Sequence, residues 1–274
     1  MIHVIDSYDL LQKIMGRSFD LFAWKKYADS VSPTIFAKCF EDISAYDFDR
    51  QCIPILNQAL MNSDQVHAAH DSFVLIMRDI GEKAQHCLEV NTEADIVFYF
   101  GLCNGAGWAT ELDGRPAVLI GVEKIIELSW CDRNKIAGVI YHELGHLWHF
   151  QNRKEPSFEN IDSRLWQIYT EGVAMFAEQL LMEDGNFFHQ YDLEWLSWCN
   201  ENRTKLFNEY LRRIQTDYSV QDFFGDWCSY SGHSDVGYYL GCELVHHLSG
   251  SMNRQELFNF SVRQIEVALS ELVK

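Results

Sequence analysis

His142-Glu143-Leu144-Gly145-His146 is the stretch on which the reading of this chain turns. On a helix, residues four apart project from one face, with about 6 Å between their Cβ atoms. Two imidazoles at that spacing can converge on one Zn²⁺ through bonds of about 2.0–2.1 Å. Glu143 follows the first histidine and lies about 100° further round the helix. It therefore stands outside the ligand pair but within reach of a water on the metal, where a general base belongs. The surrounding residues support a helix over 133–152. Asp132 offers an N-cap, Ile136, Val139, Ile140, Leu144 and Leu147 form an apolar stripe, and Pro156 follows the end.

Downstream, residues 163–181 form a second amphipathic segment opened by Ser163, and Glu171-Gly172 lies within it. A glycine inside a helix costs about 1 kcal/mol against alanine, so it needs a reason, and close approach to the metal helix is the one expected. Upstream, Ala94–Gly101 and Ala117–Gly121 are short β-branched and aromatic runs, separated by Gly101, Gly105 and Gly107 and by the turn dipeptide Asp113-Gly114. They read as a small antiparallel sheet. Residues 1–90 read as helical, for instance through Phe73, Ile76, Ile80 and Ala84. The expected organisation is an N-terminal helical region (1–90) and a catalytic domain (91–274). That domain comprises a sheet at 94–122, the active-site helix at 133–152 and a helical part at 163–274. The fold class is α+β, predominantly helical.

The pattern His-Glu-x-x-His, then Glu-Gly-x-Ala some two dozen residues later, resembles the gluzincin zinc peptidases. It is most similar to bacterial predicted zinc-dependent proteases of unassigned substrate, and more distantly to aminopeptidase N-like and thermolysin-like catalytic domains. The resemblance spans about residues 95–250. It implies a zincin-like fold and makes Glu171 the third zinc ligand beside His142 and His146. The metzincin pattern is excluded, because His149 and Asn152 stand where it needs glycine and histidine. Met175 occupies the place of the thermolysin-like supporting aspartate, and Glu178, on the same helix face, is the substitute candidate. Tyr238-x-x-Gly241 resembles the tyrosine helix of aminopeptidase N-like enzymes, which implies that the Tyr238 hydroxyl steadies an oxyanion. His233, just before it, is a second candidate electrophile. Gly105 and Gly107 resemble the strand and glycine turn above the zinc cleft, an edge able to pair with extended substrate. Glu111 and Glu123 are acidic groups able to receive a substrate amine.

Composition narrows the partners. The 274 residues carry a formal charge of −18, with 40 acidic against 22 basic residues. That excess repels phosphate backbones and excludes nucleic acid as an expected partner. No run approaches the ~20 apolar residues of a membrane helix. The N-terminus lacks the basic and apolar regions of a signal peptide, and the eight cysteines include no C-x-x-C pair. The expectation is a cytoplasmic protein with reduced thiols, acting on peptide or protein substrates as a Zn²⁺ hydrolase with Glu143 as base. Two alternatives stand beside it: a zinc-binding regulatory or interaction module without proteolysis, and a hydrolase of non-peptide amides.

Overall fold

The structure, a computed structural model, describes the chain except residues 46, 90–91, 155–162, 191–192, 226, 251–253 and 274. The turn expected at Pro156 lies outside the described residues. The chain divides into two compact units, Met1–Leu147 and Trp148–Lys274.

The first unit opens with strand β1 (Ile2–Asp6) and continues through helices α1 (Tyr8–Leu11), α2 (Leu21–Val31), α3 (Ile35–Asp42), α4 (Ile53–Leu60), α5 (Ser63–Met77) and α6 (Ile80–Leu88). Strands β2 (Ala94–Tyr99), β3 (Gly107–Leu112) and β4 (Arg115–Gly121) follow, then α7 (Val122–Glu127) and α8 (Arg133–Asn152), whose C-terminal end falls in the second unit. The strand order is β1-β2-β4-β3. β2 runs parallel to both β1 and β4, and only β3 is antiparallel to its neighbour. The antiparallel sheet expected from sequence is therefore corrected to a mixed one.

The reason lies in burial. β2 is buried along its whole length and β4 from Ala117 onward, whereas β3 is mostly half-buried. The two apolar strands share the interior, as parallel strands covered on both faces do, and β3 takes the edge. The turn between β3 and β4 is Asp113-Gly114, with φ of 52° and 78°, the doubly left-handed pair of a two-residue type I′ hairpin. β1 is not anticipated within residues 1–90, which read as mainly helical. Its β-branched Ile2, Val4 and Ile5 suit a strand, but its side chains are half-buried or exposed, with no buried alternate face.

The second unit holds α9 (Ser163–Met182), α10 (Leu193–Gln215), α11 (Val236–Ser249), α12 (Arg254–Leu257) and α13 (Val262–Glu271). α9 and α11 cross at a glycine pair. A Cβ on Gly172 would fall on the Gly241 carbonyl oxygen, and one on Gly241 would lie 2.5 Å from the Ile168 carbonyl oxygen. The neighbour that Gly172 accommodates is thus α11, which corrects the expected partner. The C-terminal end of α8 enters an aromatic cluster. The Trp148 and Phe258 rings meet edge to face at 4.6 Å, and the buried His149 ring lies 5.1 Å from Tyr169 and 5.5 Å from Trp166. Among the described residues, no helix is long and apolar enough to cross a membrane. Among the described residues, none of the eight cysteines forms a disulfide.

Candidate metal centre

α8 begins as its sequence dictates. The Asp132 carboxylate accepts the amides of Asn134 and Lys135, each at 3.1 Å, satisfying two donors of the first turn. Two turns on, the His142 and His146 rings face one another edge to face, with centroids 4.8 Å apart and planes at 85°. His142 is buried, and Glu143 and His146 are half-buried. Glu143 does not point to open solvent: its Oε2 accepts the backbone N–H of Ala109, on edge strand β3, at 2.7 Å.

The loop leading into β3 is tied down from several directions. The Trp24 indole donates to the Phe100 carbonyl at 2.9 Å, and the Phe100 amide donates to the Tyr27 hydroxyl at 2.7 Å. Asn104 Nδ2 donates to the Cys39 carbonyl and the Asp42 carboxylate. Glu123, fully buried, accepts the Gly101 amide at 2.7 Å and the Cys103 amide at 3.1 Å. It is a structural pin, which removes it from the groups proposed to receive a substrate amine.

Burial lifts the Glu123 carboxyl from 4.5 to about 7, against the opposing pull of the Gly101 and Cys103 amides. Below 4.5 the folded and unfolded chains both hold this proton. Between 4.5 and about 7 only the folded chain keeps it, so this group's contribution to stability falls as pH rises through that window. The loss is on the order of 3 kcal/mol, at 1.36 kcal/mol per unit. Urea midpoints at pH 5 and 7.5 check this: wild type is expected to lose more stability between them than Glu123→Gln. Equal losses in the two proteins would contradict it.

In the second unit, Glu171 is half-buried on α9, one residue before the glycine crossing. Glu178, seven residues on, is fully buried and takes both the amide and Nδ1 of His189, at 2.9 and 2.8 Å. Sequence reasoning singled out Glu178 but not His189. The histidine lies past the end of α9, across a turn, where no helical or strand period links it to Glu178. Tyr238 is half-buried in the first turn of α11, its ring 5.5 Å from Phe224 at a steep angle. His233 is stacked flat on Trp198 at 3.6 Å, in the turn closed by its bridge to Tyr230, and its Nδ1 faces the Ser231 carbonyl.

Of the three ligands expected from sequence, His142 and His146 present their rings to one another on α8, and Glu171 lies half-buried on α9. Two imidazoles four residues apart on one helix match zinc chemistry. Glu178, bonded to His189, suits a group that supports a ligand. No family model, curated protein or solved structure matches this chain.

Proposed function

We propose that the chain is a zinc-dependent hydrolase of the gluzincin type, cleaving peptide bonds, with the metal held by His142, His146 and Glu171. The observation that carries this reading is the His142–His146 ring pair on one face of α8, centroids 4.8 Å apart, with Glu143 one residue past the first. Zinc bound there would supply a Lewis acid that polarises a carbonyl and acidifies water. Glu143 takes the proton of the attacking water and passes it to the leaving nitrogen, so one carboxylate serves as base and then acid. The Tyr238 hydroxyl donates to the oxyanion. Glu178, held by His189, is the carboxylate that would support a ligand. The outer edge of β3 gives an extended substrate a strand to pair with.

The test combines metal content with cleavage. The purified chain is expected to bind one zinc and to cut a mixed-sequence peptide library, losing activity to a chelator and regaining it with zinc. Glu171→Ala should weaken zinc binding by at least about 100-fold, beyond the loss seen when only a supporting partner is removed. Zinc bound with no cleavage would point to a binding module instead. Unaltered zinc affinity in Glu171→Ala would remove it from the ligand set.

A further inference from the structure

Glu143 lies against the free edge of the sheet. Among the described residues, β3 pairs with β4 on one side only and ends the strand order. In an antiparallel strand, successive N–H groups point to alternate sides. The Ala109 N–H goes to Glu143 and therefore faces the open side, while the amides of Trp108 and Thr110 face β4. The carboxylate thus occupies the place where the carbonyl of a further strand would accept its hydrogen bond.

Gly107 makes the approach possible. A Cβ there would lie 2.7 Å from Glu143 Cγ, 2.7 Å from Val139 Cγ1 and 2.8 Å from Glu143 Oε1, closer than carbon atoms pack. On the opposite face of β3, Lys38 bonds the Thr110 hydroxyl at 2.7 Å and lies over the Trp108 ring, so the strand is braced from the other side. The tethers at Phe100, Gly101, Cys103 and Asn104 fix the loop that feeds it.

We propose that β3 positions the general base, with the Ala109 amide orienting the Glu143 carboxylate at the sheet edge and Gly107 providing the gap it occupies. Gly107 is a positioning residue, acting through Glu143. When an extended substrate pairs with this edge, its carbonyl takes over the Ala109 N–H, and the released carboxylate turns to the water. The base is held until the substrate backbone is in place. This deepens the hydrolase reading and rests on it.

Residue-resolved amide exchange on the full zinc-free chain reads the contact without any activity. The Ala109 amide is expected to exchange at least about 10-fold slower in wild type than in Glu143→Ala, with Trp108 and Thr110 unchanged as internal controls. Equal Ala109 rates in the two proteins overturn the contact. Gly107→Ala displaces the carboxylate, and Ala109→Pro removes the donor at an edge position where proline is tolerated. Both are expected to retain zinc and to lower kcat roughly 10- to 100-fold, with KM within about 2-fold, the signature of a misplaced base. Unchanged kcat in both variants, zinc retained, overturns the positioning role. If wild type itself binds zinc but cleaves nothing, the hydrolase reading fails, and the exchange result still decides whether β3 holds Glu143.

Discussion

Glu143→Gln is expected to keep one zinc per chain and to lower kcat by about 10²- to 10⁴-fold, the range that a general base contributes. The substitution is nearly isosteric. Gln Oε1 can still accept the Ala109 N–H that Glu143 accepts at 2.7 Å, so neither β3 nor α8 has cause to move. What disappears is the lone-pair basicity needed to take a proton from water, because an amide is not protonated near neutral pH. On the proposed role KM should change little, since a general base acts in the reaction and not in holding the substrate in its ground state. Measuring zinc stoichiometry beside steady-state rates separates the outcomes. Full activity with zinc retained would remove Glu143 from the base role, whereas loss of zinc would mean that the side chain supports the metal.

The second large effect is structural. Gly172→Ala is expected to destabilise the protein by about 2 kcal/mol. Two terms compete. Alanine gains about 1 kcal/mol over glycine as a helix former. Its methyl group, however, would land on the Gly241 carbonyl oxygen, with Gly241 C and Cα also within 3 Å, and backbone atoms cannot swing aside as a side chain can. Overpacking in a filled core typically costs 1–3 kcal/mol, and here the helices themselves must separate, so the clash wins. The denaturation midpoint should fall clearly below that of wild type. A variant more stable than wild type would mean that α9 and α11 are not in backbone contact. Because Glu171 precedes this glycine on α9, the same substitution is expected to weaken zinc binding.

Much of the local architecture was legible in the chain because it follows local rules. The Asp132 cap and the apolar stripe behind it are short-range, and α8 begins at Arg133 and ends at Asn152, where they indicate. Asp113-Gly114 names its own turn, since few other pairs accept two left-handed residues. The histidine pair at four-residue spacing likewise presents both rings on one face, 4.8 Å apart. What escaped reading depends on partners distant in sequence. Strand direction is one case: Ala94–Tyr99 and Arg115–Gly121 look the same whether paired with each other or through β3, and only the burial of both puts them side by side. Gly172 is another. The sequence says that a helix must come close, but not which, and the answer is a glycine in α11. Glu123 is the third: an acidic residue in an apolar run carries no mark of the Gly101 and Cys103 amides that hold it.

The parallel pairing of Ile2–Asp6 with Ala94–Phe98 sets an order of events during synthesis. At 5–20 residues per second, β1 leaves the ribosome roughly 5–20 s before its partner exists. The intervening helices, built from near-neighbour contacts, can form in microseconds and are in place long before the sheet. Until β2 emerges, β1 lacks the strand it pairs with in the native sheet. Its His3 and Asp6 interrupt the aliphatic residues with polar and charged groups, the kind of guard that keeps an unpaired strand from pairing with strangers. Closing the sheet over this long chain separation is therefore the late, slow step by which the nascent first unit becomes native.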